Sequence, residues 1–195
     1  MNNLDKYFPD LSASRKEKIL KLTSIYRTVN KKINVISRKD IDNIFLHHIL
    51  PAMAISKVVT FKNQSNILDI GSGGGFPGVP LAILFNKAKF TLIDSRKKKC
   101  EAMIEVIAKL KLRNINIKQV RSNELKEKFN YIIGRAVTEP SEFMKLATKN
   151  LKNQKKEKLI FYISGGGCQQ DINKINVSNF FKEEYFKDKY IYISP

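Results

Sequence analysis

The chain has 195 residues, and 43% of them are hydrophobic, which is enough to build the core of one folded domain and excludes wholesale disorder. Its 36 Lys and Arg residues against 18 Asp and Glu residues give a net charge of +18, which favours a polyanionic partner, nucleic acid more than membrane. No apolar run reaches the roughly 20 residues of a membrane span, and the N-terminus lacks the apolar segment of a signal peptide, so we expect a soluble cytoplasmic protein.

The first 60 residues predict a helical cap. Ser12 or Ser14 can cap a first helix, and Asp40 can cap a second one. Apolar residues recur at helical spacing in the first helix: Ile19, Leu22, Tyr26 and Val29. Pro51 should end or kink the second helix. No linker-like composition follows, so residues 1–60 are expected to pack directly on the rest of the chain.

From residue 61 to residue 195, predicted strands alternate with predicted helices. The strands are expected at 66–70, 89–94, 115–120, 131–134, 159–164 and 190–194. Helices are expected at 79–85, 96–112 and 141–151, with a helical or irregular piece over 171–186. This alternation predicts an α/β fold with a doubly wound, Rossmann-like sheet.

The stretch Ile67–Pro80 predicts a buried strand, a glycine turn and the start of a helix, and ligands of open α/β sheets bind at such turns. A nicotinamide fingerprint, Gly-x-Gly-x-x-Gly, fits by spacing if it starts at Gly73, but Pro77 then offers no N–H to a pyrophosphate. A P-loop would need Lys after its last glycine, where Val79 stands. A nicotinamide enzyme therefore stays a distant alternative.

The pattern Asp-x-Gly-x-Gly-x-Gly is typical of S-adenosylmethionine enzymes. It consists here of Asp69, Gly71, Gly73 and Gly75. Asp69 can favour the ammonium group of the cofactor, and Asp94, at the end of the next strand, can accept hydrogen bonds from a ribose diol. Both carboxylates also have ordinary explanations, a buried structural acid for Asp69 and a helix N-cap for Asp94. We expect both to contact the ligand, while Phe76 either walls the cofactor or packs under the turn.

The rest of the sequence limits the chemical class of the methyl acceptor. Ile133–Ala136 stands where base-amine methylating enzymes carry an Asn/Asp-Pro-Pro-aromatic run. Cys100 and Cys168 lack the context of a carbon-methylating nucleophile, and they have no metal-ligand spacing and suggest a reducing compartment. These absences favour an acceptor that is already nucleophilic, such as a ring nitrogen, for which positioning can replace a general base.

With these motifs the chain resembles the glucose-inhibited division protein B family. The Phe-Pro-Gly-x-Pro tail of the glycine turn and the Asp94-Ser95 pair followed by Lys98-Lys99 carry the resemblance. Further matching segments lie at Asn30, Asn34–Ser37, His47–Leu50 and Gly134–Ala136. The resemblance implies a class I methyltransferase that moves a methyl group from S-adenosylmethionine to N7 of a guanine in 16S rRNA. Its partner would be 16S rRNA or the small-subunit particle, and we expect a monomer.

The resemblance also implies roles for single residues. Gly71, Gly73 and Phe76 would line the cofactor, and Ser122 and Asn123 would lie beside the adenine. Arg135 would lie near both the cofactor and the guanine, consistent with an Arg that reads a guanine edge or steadies a phosphate. His48 would belong to the acceptor side, although a packed histidine of the cap explains it equally well.

Three positions depart from the family pattern. Asn123 replaces an acid beside the adenine, Pro51 replaces an Asp in the cap, and Ser164 replaces a Lys before Gly165. These departures keep two alternatives open: a methyltransferase with another acceptor, and an RNA-binding protein whose methyltransferase fold has lost catalysis.

Basic runs supply candidate RNA contacts. Arg96–Lys99 opens a helix, where cations oppose the helix dipole, and this cost hints at a phosphate partner. The candidate residues are Lys31, Lys32, Arg38, Arg96, Lys97, Lys98 and Lys99. A further basic patch is expected at Lys152, Lys155, Lys156 and Lys158. A Lys-rich composition that only solvates the surface is the alternative explanation for part of these charges.

Overall fold

A seven-stranded sheet forms the centre of the structure, a computed structural model that describes residues 3–152, 159–166 and 172–194. The strands are β1 Asn66–Ile70, β2 Lys89–Asp94, β3 Ile115–Gln119, β4 Tyr131–Arg135, β5 Ile160–Gly165, β6 Lys174–Asn176 and β7 Lys189–Ile193. Their order is β3-β2-β1-β4-β5-β7-β6. Strands β1 to β5 are parallel, and β7 is antiparallel to both of its neighbours. The doubly wound α/β fold expected from the sequence is confirmed, and each of the six expected strands is found within one residue of its expected ends.

Six α-helices connect and flank these strands in the described part of the chain. They are α1 Asn3–Tyr7, α2 Ala13–Lys32, α3 Leu50–Met53, α4 Gly78–Leu84, α5 Lys97–Leu110 and α6 Pro140–Thr148. Short 3₁₀ turns lie at Ile41–Asn43, Ala54–Lys57, Val177–Asn179 and Glu184–Phe186, and a π-helical turn covers Phe45–Ile49. No helix in these described ranges is long and apolar enough to cross a membrane.

Strand β1 has neighbours on both sides, which explains its apolar sequence. It pairs with β2 and β4, and its side chains from Ile67 to Ile70 are all buried. The register aligns Ile70 with Ile93 of β2 and with Gly134 of β4. The turns that follow these three strands therefore meet at one edge of the sheet, where ligands of such folds bind.

The N-terminal helices pack on the core next to that edge. Helix α2 buries the four predicted apolar residues, and its Tyr26 hydroxyl donates to the carbonyl of Gly74 over 2.5 Å. Ser12 occupies the N-cap position of α2 but makes no side-chain capping hydrogen bond. The division into a cap, residues 1–60, and a core, residues 61–195, stays a prediction.

The second cap helix differs from the expectation. Asp40 does not cap it by a side-chain hydrogen bond, because its carboxylate contacts His47 Nδ1 and His48 Nε2 instead. A 3₁₀ turn, a π-helical turn and α3 replace one regular helix, and Pro51 lies at the start of α3. Since Pro51 has no N–H, it cannot donate to the His47 carbonyl four residues earlier. That carbonyl instead accepts a hydrogen bond from Arg135.

The C-terminal region contains a strand that the sequence pattern did not reveal. The piece expected to be helical or irregular holds β6 and two 3₁₀ turns, and three residues of β6 are too few to show a strand period. Fully buried Phe181 and Phe186 anchor it, and the Phe181 ring lies 4.9 Å from the Tyr7 ring of α1. Cys168 and Asp171 lie outside the described residues, as do Lys155, Lys156 and Lys158.

Candidate active site

A cavity of about 810 Å³ opens where the turns after β1, β2, β3 and β4 meet. It is lined by Ile70, Gly71, Gly73, Ile93, Asp94, Ser95, Arg96, Lys99, Val120, Arg121, Ser122, Asn123, Ala136, Val137 and Leu146. Its volume lies within the range typical of small-molecule and cofactor sites, and its lining holds polar and apolar side chains in similar numbers. We call it the large cavity.

The glycine turn presents its main chain to the large cavity. Gly71 has a φ of +65° and Gly73 a φ of +57°, in the left-handed region that side chains rarely adopt. A Cβ atom at Gly71 would lie 2.9 Å from Val137 Cγ2. A Cβ atom at Gly73 would meet no protein atom closer than the Gly71 carbonyl oxygen at 3.9 Å, so open space borders the turn there.

Asp94 holds the glycine turn and borders the large cavity at the same time. Its Oδ2 accepts the N–H of Gly73 over 2.9 Å, and its Oδ1 accepts the N–H of Arg96 over 2.9 Å. The two roles considered for Asp94, helix start and ligand contact, are compatible because each carboxylate oxygen can accept a second hydrogen bond. The partly exposed carboxylate is therefore able to accept hydroxyl groups from a ligand.

Asp69 lies beneath the turn rather than in the lining of the large cavity. Its side chain is completely buried, and its Oδ2 accepts the N–H of Gly78 over 2.8 Å. Burial raises the pKa of Asp69 to about 7, although the contacts with Ser72 and Gly78 oppose this. The contact with a ligand ammonium group expected from the sequence stays a prediction. In the structure, Asp69 fixes the start of α4.

Gly75 and Phe76 also lie behind the large cavity. A Cβ atom at Gly75 would lie 2.7 Å from Val79 Cγ2, so this glycine permits close packing of the turn on α4. The Phe76 ring is buried, 4.8 Å from the Tyr26 ring and 5.5 Å from the His48 ring. Of the two roles considered for Phe76, the structure places it in the one that packs under the turn.

Ser122 and Asn123 line the large cavity, and the place beside an adenine that the resemblance implies for them stays a prediction. Apolar wall residues were not predicted, among them Val120 after β3 and Val137 after β4. The sequence could have indicated both as site residues, because each follows the carboxyl end of a parallel strand. Val137 is 39% exposed, so its side chain is accessible from the large cavity that it lines.

Arg135 binds the cap. Its Nη2 donates to the carbonyl of His47 over 2.5 Å, and its Nη1 donates to the carbonyl of His48 over 3.1 Å. His48 is partly buried, and burial together with the nearby Arg135 lowers the pKa of its imidazole, which Asp40 opposes. Neither Arg135 nor His48 lines the large cavity. The structure therefore places both at the joint between cap and core.

A second cavity of about 210 Å³, which we call the small cavity, lies beside the large one. Arg135, Ser164, Tyr185 and Lys189 contribute its polar lining, and Ala136 borders both cavities. Ser164 stands where the family pattern has a Lys, so this position provides no cation. Lys189 of β7 provides a cation in the lining of the same cavity.

The turn that separates the two cavities has a strained start. Ala136 has a φ of +50°, which is rare for a residue with a side chain. The Tyr162 hydroxyl holds the turn, since it accepts the N–H groups of Val137 at 2.7 Å and Thr138 at 3.0 Å and donates to the Thr138 carbonyl at 2.5 Å. Backbone strain that neighbouring groups maintain is typical of functional sites.

The basic runs come together around the end of α2. Lys32 shares a groove of about 540 Å³ with Arg96, Lys97, Lys98 and Lys99, and we call this the basic groove. It adjoins the large cavity, because Arg96 and Lys99 line both. Lys31 and Arg38 line a separate cavity of about 490 Å³ on the cap. Within the described ranges, no three His, Cys, Asp or Glu side chains are grouped to hold a metal ion.

Comparison with known proteins identifies the family. A sequence model described as rRNA small subunit methyltransferase G, GidB, matches residues 15–188. The chain belongs to this family. A ribosomal RNA small subunit methyltransferase G from Flavobacterium johnsoniae is 39% identical over 204 residues, covering 100% of this chain and 98% of the relative. The protein of that name from Phocaeicola vulgatus is 38% identical, covering 94% of this chain and 93% of the relative.

Solved structures share the fold of the GidB chain at lower identity. A SAM-dependent methyltransferase from Aquifex aeolicus has a TM-score of 0.53 at 18% identity, covering 77% of this chain and 91% of that one. A precorrin-6y C5,15-methyltransferase from Geobacter metallireducens has a TM-score of 0.53 at 14% identity, covering 73% and 85%. The methyltransferase fold and the resemblance to the glucose-inhibited division protein B family are thus both confirmed.

The large cavity fits S-adenosylmethionine. Its glycine turn leaves open space beside Gly73, Asp94 offers carboxylate oxygens for a ribose diol, and Val120 and Val137 give apolar walls for an adenine ring. Arg121 and Lys99 in the lining would also suit an anionic carboxylate.

Proposed function

We propose that this protein transfers a methyl group from S-adenosylmethionine to N7 of a guanine in 16S rRNA of the small ribosomal subunit. The observation that carries the proposal is the large cavity at the glycine turn, which adjoins a basic groove, in a chain of the GidB family. One cavity suits the cofactor and the adjoining cationic surface suits an RNA backbone.

The cofactor is held by main chain and by a few side chains. Gly71 and Gly73 let the backbone approach it, and Asp94 accepts hydrogen bonds from its ribose hydroxyls. Ser122 and Asn123 contact the adenine, where Asn123 offers an amide in place of an acid. Bound S-adenosylmethionine supplies an electrophilic methyl group on a sulfonium.

No general base is needed for this reaction. The guanine N7 already carries a free lone pair and has no proton to lose. Among the described residues that line the large cavity, Asp94 is the single carboxylate, and both of its oxygens accept main-chain N–H groups. The chain's contribution is to align the acceptor with the cofactor, and well-oriented reactants reach effective molarities of roughly 10⁵ M or more.

Arg135 and His48 act by positioning the cap beside the acceptor. Arg135 holds the carbonyls of His47 and His48, and the His48 ring packs against Phe76 under the glycine turn. Through these contacts, the position of the cap depends on the position of the glycine turn. The cap then forms one wall of the acceptor site.

The RNA contacts extend from the basic groove across the cap. Lys32 and Arg96–Lys99 bind phosphates next to the large cavity, and Lys31 and Arg38 extend the surface along the cap. The partner is 16S rRNA, either free or in a small-subunit particle, and the protein acts in the cytoplasm as a monomer.

The decisive experiment is methyl transfer from radiolabelled S-adenosylmethionine to three acceptors: purified small subunits, naked 16S rRNA and total protein. We expect label in rRNA as 7-methylguanosine, which nucleoside mass spectrometry identifies and mapping assigns to one base. Label in protein or in another base would identify a different acceptor. Lack of S-adenosylmethionine binding in calorimetry would favour an RNA-binding protein without catalysis.

A further inference from the structure

We propose that the small cavity binds a phosphate of the acceptor RNA strand, and that Lys189 is the residue that holds it. This inference rests on the proposed function and adds a contact site that lies apart from the basic groove. Lys189 belongs to β7. This strand pairs antiparallel with β5 and is therefore not part of the parallel strands β1 to β5.

The small cavity lies where an acceptor has to approach. It opens at the carboxyl ends of β4 and β5, and Ala136 separates it from the large cavity. The antiparallel pairing of β5 and β7 aligns Lys189 with Gly165, next to Ser164. An RNA strand that brings a base to the large cavity from this side therefore passes Lys189.

The charges of the small cavity are unbalanced. Lys189 makes no ion pair with any carboxylate of the described residues, and its Nζ lies 5.2 Å from the centre of the Tyr185 ring. By contrast, Lys187 on the same segment pairs with Glu184 at 2.6 Å. Arg135 adds a second cation, whose Nη1 and Nη2 atoms donate to uncharged carbonyls, and the nearby Asp40 carboxylate offsets part of its charge. A cavity with this lining favours an anion.

Its size and surroundings favour a phosphate over a second small-molecule ligand. At about 210 Å³ it is smaller than typical cofactor sites, and Ser164 in its lining offers a hydroxyl as a further donor. Phosphate oxygens are the groups of RNA that lysine and hydroxyl side chains bind most often. Tyr185, stacked on His47 with ring centres 4.1 Å apart, gives the cavity a rigid wall.

This assignment has a consequence for the departure at Ser164. The cation that this position lacks is provided from the neighbouring strand, so Ser164 does not by itself imply lost catalysis. Lys189 would act as a positioning residue for the acceptor strand and would not touch the cofactor.

The test compares Lys189→Met, which keeps the apolar stem, with Lys189→Arg, which keeps the charge, and with Lys187→Met as the matched control. RNA affinity is measured by fluorescence anisotropy from 0.05 to 1 M salt, together with KM and kcat for rRNA methylation. For Lys189→Met we expect the slope of log affinity against log salt concentration to be smaller in magnitude than that of wild type by about 0.7–0.9. The loss of RNA affinity relative to wild type should therefore be roughly five- to eightfold larger at 0.1 M salt than at 1 M salt. KM for RNA should rise while the affinity for S-adenosylmethionine stays unchanged, and Lys189→Arg should restore both RNA readouts.

Equal salt slopes for Lys189→Met and Lys187→Met would overturn the inference, as would a loss that Lys189→Arg fails to restore. The two levels of proposal are separable in this experiment. If the wild-type protein methylates rRNA but Lys189→Met binds RNA normally, only the phosphate site is wrong. If the wild-type protein labels no rRNA, the proposed function itself is wrong.

Discussion

The N–H of Gly73 donates to Asp94 Oδ2 over 2.9 Å, so the carboxylate at the end of β2 holds the glycine turn after β1. Replacing Asp94 by Ala removes that bond, the bond from the Arg96 N–H and the acceptor for the ribose. Hydrogen bonds to charged groups contribute about 1.5–3 kcal/mol each, so S-adenosylmethionine should bind roughly 10- to 100-fold more weakly. Isothermal calorimetry measures this.

A matched control for Asp94→Ala is Glu101→Ala. Glu101 lies on the exposed side of α5, and it forms an ion pair with Lys97 at 3.9 Å. Removing it changes the net charge by the same amount but leaves the turn untouched. Equal loss of affinity in both variants would show that the effect is one of charge alone.

Gly71→Ala should destabilise the glycine turn. The positive φ of +65° costs a side chain about 1–2 kcal/mol, and the new Cβ would lie 2.9 Å from Val137 Cγ2. Gly74→Ala is the control within the same turn, because its Cβ would meet Val35 Cβ at 3.4 Å and Phe76 Cε2 at 3.6 Å, which are ordinary contacts. Urea unfolding should show a larger loss for Gly71→Ala, together with weaker cofactor binding. Similar unfolding curves would contradict the clash.

The glycine turn and Asp94 could be predicted from sequence because their placement is local. Each follows directly on a strand with a clear apolar pattern, and adjacent parallel strands bring their carboxyl ends together. The orientations of the other predicted residues depend on which side chains are buried. Asp69 alternates to the far side of the sheet edge and Phe76 faces the cap, and no spacing rule distinguishes these orientations from contact with a ligand.

The contact between Arg135 and the cap could not be predicted from the sequence, for a different reason. It depends on carbonyl groups of His47 and His48 in a π-helical turn that precedes Pro51. A proline predicts an interrupted helix, but it does not identify which distant side chain binds the released carbonyl. The small cavity shares this difficulty, since it needs β7 inserted antiparallel beside β5 to bring Lys189 into place.

Asp69 should make stability fall with rising pH. Its pKa is about 7 in the folded protein against 3.8 for the ordinary side chain, because burial disfavours the charged form. Between these values the folded state holds a proton that the unfolded state has lost, so the contribution is largest below pH 4 and disappears as pH approaches 7. The slope from this group is at most about 1.4 kcal/mol per pH unit.

Urea unfolding of wild type and Asp69→Asn from pH 4.5 to 7.5 isolates that contribution, since other titrating groups cancel in the difference. The free energy of unfolding of the wild type should fall relative to the variant as pH rises, whatever constant offset the amide introduces at the unpartnered Oδ1 position. A difference that is independent of pH would show that Asp69 is ionised in the folded protein.

The cations at the start of α5 should weaken the helix and strengthen RNA binding. Lys97 and Lys98 are exposed in the first turn, where positive charge opposes the helix dipole at a cost of about 0.3–1 kcal/mol each at low salt. The double variant Lys97→Ala, Lys98→Ala should therefore unfold at higher urea than wild type. It should nevertheless bind rRNA less tightly, with a salt slope lower by about 1.4–1.8 if each lysine contacts one phosphate.

Opposite changes in stability and RNA affinity cannot arise from misfolding, which makes this pair of measurements decisive for the basic groove. The control variant, Lys109→Ala with Lys111→Ala, removes two lysines from the other end of the same helix, outside the groove. It should lose stability slightly, because cations favour a helix C-terminus, and keep the wild-type salt slope. If both double variants lower the slope equally, the charge acts through the overall field of +18 rather than through phosphate contacts in the groove.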